Sequence, residues 1–318
     1  MFNHILAPLD GSALAECVLP HLVGMAKTFD ARVTLLRVLK PHAEGDTPYP
    51  IDPVAWEIKK VETGAYLNEI VHRLEETGTP VQQILLEGDP ASCIKEFTDK
   101  HDVDLILLSS HGRSGLSRWN VSSVVRKVIQ RVHRSFMLVR AYKSEQPDLK
   151  GIHYHKLLLP LDGSQRAECL FGPAKTVAQF YNAQLLVAHV TVKPEMPHQM
   201  PLTAEDQTLM ARFIERNKQV AADYLEGLRT RLPYDFESRL RVSGDVALTL
   251  HEMVDEEAVD LLIMSAHGYS GQSKWPYGNI TTSFIEYGSV PMLVMQDLKP
   301  EEIEPTKAET AVTESKGH

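Results

Sequence analysis

The chain has 318 residues, of which 43% are hydrophobic and 24% are charged, values typical of a globular protein with enough apolar material for two domains. Its 33 basic and 42 acidic residues give a net charge of −9, so the chain as a whole offers no basic field for nucleic acid or an acidic membrane. Three cysteines without a CxxC pair favour a reducing compartment. The first residues lack a basic segment, and no apolar run approaches the roughly 18 residues of a membrane span. We therefore expect a cytoplasmic protein without a signal peptide, and neither nucleic acid nor membrane as a partner.

The sequence contains two copies of one pattern. Residues 4–17 and 156–169 are identical at nine of fourteen positions, and residues 87–115 and 243–271 match at thirteen of twenty-nine. Repeats of this length are too long for the unit of a solenoid, so each copy is predicted to be a domain.

In chain order, hydrophobic periodicity predicts alternating strands and helices in both copies. In the first copy these are a strand at His4–Leu9, a helix at Ala13–Thr28, a strand at Arg32–Val38, a helix at Pro53–Thr77, a strand at Val81–Glu87, a helix at Ala91–His101, a strand at Asp104–Ser110, a helix at Ser122–Arg134 and a strand at Phe136–Arg140. The second copy repeats this order from Lys156 to Gln296.

Five nearly continuous apolar strands joined by helices indicate a doubly wound α/β domain, with a parallel five-stranded sheet covered on both faces. We predict one such domain at residues 1–142, a polar linker at 143–152, a second domain at 153–297 and a disordered acidic tail at 298–318.

Ligands of open α/β sheets bind beyond the carboxyl ends of the strands, where the strand order reverses. After the first strand, both copies read Pro-Leu-Asp-Gly-Ser, with Asp10 and Asp162 at the strand end. Each carboxylate is suited to accept a hydrogen bond from a hydroxyl or amino group of a ligand. The alternative is structural: the Asp caps the next helix and the Gly makes the turn.

After the fourth strand, both copies contain a glycine-rich loop, HGRSG or HGYSG, followed by a helix. Such a loop favours phosphate, because glycines let backbone amides approach the oxygens and the helix dipole attracts the anion. The alternative is an ordinary loop with Ser or Asn as helix cap.

Other reactive residues have structural explanations. His111 and His267 are predicted to anchor their loops, and Cys17 and Cys169 to be small buried side chains. Ser110 and His111 are not expected to form a nucleophile–base pair, because neighbouring side chains on a strand point to opposite faces.

Together, the two PLDGS turns, the strand ends LLRV and VAHV, and the segments HGRSGLSRW and HGYSGQSKW resemble the universal stress protein family in its tandem two-domain form. This resemblance covers residues 1–142 and 153–297 and implies strand order 3-2-1-4-5 with ATP or AMP as ligand, accompanied by Mg²⁺. It implies that adenosine is held by Asp10, Val38, Asp162 and Val190. It implies that phosphates are held by Gly112, Gly115, Ser123, Gly268, Gly271, Gly278 and Asn279.

The first copy has Ser122 where the family has Gly, and the second has Asn279 where the family has Ser or Thr. The resemblance implies a nucleotide-binding regulatory protein of the stress response with no strong catalytic activity, with which slow ATP hydrolysis is compatible. The alternative is a scaffold that has lost nucleotide binding and acts through protein contacts. We further predict that the two repeats pair as an intramolecular pseudo-dimer through their last strands; a further homodimer stays open.

Overall fold

The computed structural model describes residues 1–41, 52–112, 121–142, 147–149, 152–194, 203–269 and 277–297. The chain divides into two compact units, one comprising Met1–His153 with Ile285–Leu293 and the other comprising Tyr154–Phe284 with the residues from Val294. The predicted acidic tail and most of the predicted linker lie outside the described residues. Among the described residues, no helix is both long and apolar enough to cross a membrane.

The first repeat alternates strands and helices in the predicted order. Its elements are β1 (His4–Pro8), α1 (Leu19–Phe29), β2 (Arg32–Leu39), α2 (Pro53–Glu75), β3 (Val81–Glu87), α3 (Pro90–Lys100), β4 (Leu105–Ser109), α4 (Ser123–Arg131) and β5 (Ser135–Val139). The strands lie in the order β3-β2-β1-β4-β5 and their described pairings are parallel.

The second repeat has the same succession of elements. They are β6 (Lys156–Pro160), α5 (Phe171–Tyr181), β7 (Gln184–Val192), α6 (Ala204–Arg231), β8 (Glu237–Ser243), α7 (Val246–Glu256), β9 (Leu261–Ser265), α8 (Asn279–Tyr287) and β10 (Met292–Met295). The order β8-β7-β6-β9-β10 mirrors that of the first repeat. The predicted doubly wound fold and its strand order are therefore confirmed in both repeats.

The inner strands are apolar because both of their faces are covered. Every residue of β4, β5 and β9 is buried, and so are the first four residues of β1. This pattern is typical of parallel strands with helices on both sides of the sheet. It places the carboxyl ends of β1 and β4, and of β6 and β9, side by side at one edge of each sheet.

The predicted helix at Ala13–Thr28 is in fact two pieces. A 3₁₀ turn at Ala15–Val18 precedes α1, and the second repeat has the same turn at Ala167–Leu170 before α5. Proline explains the break: Pro20 and Pro173 lie in the first turns of α1 and α5 and lack the N–H that would continue α-helical bonding toward the preceding turn.

Candidate functional site

The turn after the first strand of each repeat is built around an aspartate. The Oδ1 atom of Asp10 accepts hydrogen bonds from the Ser12 amide at 3.0 Å and the Ser12 hydroxyl at 2.5 Å. In the second repeat, Asp162 Oδ1 accepts the same two bonds from Ser164 at 3.0 and 2.6 Å. Serine rather than aspartate then caps the 3₁₀ turn, because its hydroxyl accepts the amide three residues further on at 3.2 Å. The aspartates thus have a structural task in the turn.

The glycine of the PLDGS turn is required by its backbone conformation. Gly11 has a φ of 73° and Gly163 has a φ of 85°, in the left-handed region that residues other than glycine rarely adopt. Contacts between neighbouring residues therefore hold the turn and the direction of its carboxylate.

The loop after the fourth strand touches this carboxylate directly. A Cβ atom built on Gly112 would lie 2.0 Å from Oδ2 of Asp10, and one built on Gly268 would lie 2.2 Å from Oδ2 of Asp162. In the second repeat the backbone amide of Tyr269 also donates to Asp162 Oδ2. The structure thus brings together Asp10 with Gly112 and Asp162 with Gly268, and only glycine leaves room for this approach.

The following helix starts beside the same strand end. The amide of Ser122 donates to the carbonyl of Ser110 at 2.9 Å, and the amide of Gly278 donates to the carbonyl of Ala266 at the same distance. Ser122 also caps α4, because its hydroxyl accepts the amide of Val125 at 3.3 Å. The predicted phosphate residues Ser123 and Asn279 are the first residues of α4 and α8, where a helix dipole attracts an anion.

Within the described part of the chain, the structure does not bring the remaining predicted site residues into contact with the aspartates. Val38 and Val190 are half-buried near the carboxyl ends of β2 and β7, the strands next to β1 and β6. No described contact joins them to the aspartates. Gly115 and Gly271 lie outside the described residues.

The two loop histidines are buried and held by different partners. His111 Nδ1 hydrogen-bonds to the Ser110 hydroxyl at 2.8 Å, whereas His267 Nδ1 hydrogen-bonds to Oδ1 of Asp297 at 2.8 Å. The sequence argument that Ser110 and His111 point apart is therefore wrong. β4 ends at Ser109, so strand alternation no longer applies to them. The buried Ser110 hydroxyl also accepts the Ala141 amide at 3.1 Å and so ties the loop to the chain after β5.

The cysteines of the shared Ala-Glu-Cys segment are not activated. Cys17 is half-buried and Cys169 is exposed, so the prediction of a buried side chain is wrong for Cys169. Desolvation of the sulfur raises the pKa of the Cys17 thiol to about 11 and, together with the charge of Asp297, raises the pKa of the Cys169 thiol to about 12. Because both pKa values lie far above 7, both thiols stay protonated near neutral pH. The reactive thiolate form is therefore scarce.

Sequence reasoning missed an ion pair that borders each aspartate turn. Glu16 Oε2 accepts from Arg73 at 2.8 Å, and Glu168 accepts from both terminal nitrogens of Arg231 at 3.2 and 2.9 Å. The Tyr224 hydroxyl donates to Glu168 at 3.2 Å. A signal for this pair was available, because both long helices contain Tyr-Leu followed after five residues by Arg-Leu, and both turns contain Ala-Glu-Cys.

Comparison with known proteins identifies relatives of both repeats. The sequence model of the universal stress protein family matches residues 1–140 and 153–296. A universal stress protein of Methanocaldococcus jannaschii is 31% identical over 151 residues, which cover 46% of this chain and 86% of that protein. The universal stress protein YxiE of Bacillus subtilis is 30% identical over 149 residues, covering 44% of this chain and 100% of that protein.

Solved structures share the fold of the whole chain. A universal stress protein from Archaeoglobus fulgidus has a TM-score of 0.62 at 19% identity and covers 94% of this chain and 100% of its own. A protein of unknown function from Pseudomonas aeruginosa has a TM-score of 0.63 at 16% identity and covers 99% and 98%. At these identities the likeness concerns the fold alone.

Proposed function

This chain belongs to the universal stress protein family, and we propose that it is a regulatory protein that binds an adenine nucleotide, ATP or AMP, between the first and fourth strands of a repeat. One observation carries the proposal. In both repeats a carboxylate at the end of the first strand lies against the glycine backbone after the fourth strand, at the point where the strand order reverses. This is where open α/β sheets bind their ligands.

The residues divide into two ends of one cleft. The aspartate supplies hydrogen-bond acceptors for a hydroxyl or amino group of the nucleoside. The glycine-rich loop and the start of α4 or α8 supply backbone amides and a positive dipole end for the phosphates, with Ser123 or Asn279 as side-chain donors. Mg²⁺ would enter with the phosphates, which are its usual ligands when a nucleotide is bound.

Regulation rather than turnover is the activity we propose. A bound nucleotide would contact both the aspartate and the glycine backbone that lies against it, so occupancy would change the surface at the ends of the first and fourth strands. A partner protein could then distinguish the occupied chain from the empty one.

Calorimetric titration of the full chain with ATP and with AMP, in the presence of Mg²⁺, tests the proposal. We expect saturable binding by the wild type and a loss of at least tenfold in affinity for a variant with both Asp10→Ala and Asp162→Ala. Ligand at one hundred times the Kd should also raise the unfolding free energy by about 2.7 kcal/mol.

Asp260→Ala is the matched control. Asp260 accepts the Lys156 amide at 3.1 Å, at the amino end of the strand that Asp162 follows, so it lies at the opposite edge of the sheet. This variant should bind ATP as the wild type does. Absence of binding by the wild type at millimolar ATP would contradict the proposal and favour the scaffold that acts through protein contacts.

A further inference from the structure

The two repeats carry different side chains at one position beside the aspartate turn. Arg37 on β2 and His189 on β7 directly precede Val38 and Val190 in the aligned strand ends LLRV and VAHV. Arg37 Nη1 donates to the carbonyl of Leu9 at 3.0 Å, and the carbonyl of Leu161 acts to raise the pKa of the His189 imidazole. Each carbonyl belongs to the residue just before the aspartate. A permanent cation thus occupies the place in the first repeat that a titratable ring occupies in the second.

In the first repeat the guanidinium is buried inside a charged cluster. Arg37 is 6% exposed and Glu16 is also 6% exposed, and the charges of Glu16, Arg37 and Asp10 all act on the hydroxyl of Tyr66. A buried cation needs a nearby anion, because an uncompensated charge in the interior is strongly destabilising. Asp10 and Arg37 thus belong to one group of charges around Tyr66, and a ligand that bound the Asp10 carboxylate would act on that group.

In the second repeat the same region is more open and lacks the fixed cation. Burial lowers the pKa of His189, and the Asp162 charge and the Leu161 carbonyl offset only part of this effect, so the ring is neutral at pH 7. Asp162 is exposed, whereas Asp10 is half-buried. The bordering ion pair follows the same trend: the side chains of Glu168 and Arg231 are 22% and 55% exposed, against 8% and 19% for their counterparts in the first repeat.

We propose that the second repeat is the nucleotide site and that Arg37 closes the cleft of the first, so that Arg37 and His189 determine which repeat binds. This inference rests on the proposed function and assigns it to one half of the chain. Its physical reason is that Asp162 is exposed and has a histidine, not an arginine, at the position of Arg37, while Asp10 is half-buried and near the charges of Arg37 and Glu16.

Exchange of the two side chains tests the inference, because each variant receives the residue that the other repeat already accommodates. In calorimetric titration with ATP, the wild type should bind one nucleotide per chain. Asp162→Ala should abolish this binding, and the control Asp260→Ala should leave it unchanged. His189→Arg should lower the affinity at least tenfold. Arg37→His together with Ser122→Gly should raise the stoichiometry from one to two, whereas Ser122→Gly alone should leave it at one.

Circular dichroism and thermal melting of each variant show whether it is folded, and His189→Arg decides the matter if the Arg37 variants do not fold. The inference is overturned, with the proposed function intact, if the wild type binds two nucleotides, if Asp162→Ala still binds one, or if His189→Arg binds as the wild type does. It is overturned as well if the folded double variant still binds one, or if Ser122→Gly alone binds two. A wild type that binds no ATP overturns both the proposed function and this inference.

Discussion

Replacement of Gly268 by alanine should destabilise the second repeat through a single identifiable contact. The three heavy atoms nearest to the new Cβ all belong to Asp162: Oδ2 at 2.2 Å, Cγ at 3.2 Å and Oδ1 at 3.9 Å. The backbone of Gly268 is not in the left-handed region, so alanine introduces no conformational strain of its own. The carboxylate has to move, although Ser164 holds its Oδ1 and the Tyr269 amide holds its Oδ2.

The expected loss of unfolding free energy follows from the hydrogen bonds of Asp162 that the alanine would disturb. A hydrogen bond to a charged group contributes about 1.5–3 kcal/mol, and water can replace part of this because Asp162 is exposed. We therefore expect the equivalent of one such bond to be lost, about 1.5–3 kcal/mol. In a background with Asp162→Ala the clashing atoms are absent, and the same glycine substitution should cost less than about 0.5 kcal/mol, within the usual range for a neutral surface change.

Urea unfolding of the wild type, the two single variants and the double variant measures this coupling in one thermodynamic cycle. Gly244→Ala is the matched control, because a Cβ on Gly244 would have nothing within 4 Å. Equal costs of Gly268→Ala in the two backgrounds would refute the contact with Asp162 as the reason for glycine at this position.

Three further outcomes are expected. Gly278→Ser should leave stability unchanged, since its Cβ would make only contacts of 3.7 Å or more, but should weaken ATP binding about tenfold by hindering approach to the phosphates, as calorimetry would reveal. Burial lowers the pKa of His21 to about 3 from 6.5, so the unfolded chain takes up the proton first and stability falls as pH drops below 6.5. The loss should be about 2.7 kcal/mol by pH 4.5 and absent in His21→Leu, which denaturation at pH 7 and 4.5 would check. With the pKa of Cys17 near 11 and that of Cys169 near 12, both thiols should react with a disulfide reagent at pH 8 far more slowly in the folded than in the urea-unfolded protein; equal rates would contradict these raised pKa values.

Local features of the site were predictable from the sequence. The PLDGS turn needs only neighbouring residues: a glycine with positive φ, a carboxylate two residues before an amide, and a hydroxyl that caps the next turn. Helix caps also depend on neighbouring residues: the side chain of Asp89 accepts the amide of Ser92 in the first turn of α3. Boundaries were less exact where prolines intervened, because Pro20 and Pro173 converted the start of one predicted helix into a separate 3₁₀ turn.

The contacts between distant segments could not be derived from the sequence in the same way. Ser110 and His111 touch because the chain leaves β4 one residue earlier than predicted. The carboxylate of Glu16 meets Arg73 across 57 residues, and Arg37 reaches the carbonyl before Asp10 across 28 residues. Such partners are chosen by the packing of α2 and β2 around β1, which a linear pattern does not specify.

By itself, the sequence determined the duplication, the five-stranded parallel architecture and the aspartate and glycine positions at the strand ends, because apolar periodicity and turn chemistry act over a few residues. Only the tertiary structure decided that the glycine backbone lies against the aspartate, that Asp10 is half-buried near the charges of Glu16 and Arg37, and that Asp162 is exposed near His189. The reason is that burial and charge balance depend on side chains brought together from several strands and helices, and the same pentapeptide therefore acquires a different environment in each repeat.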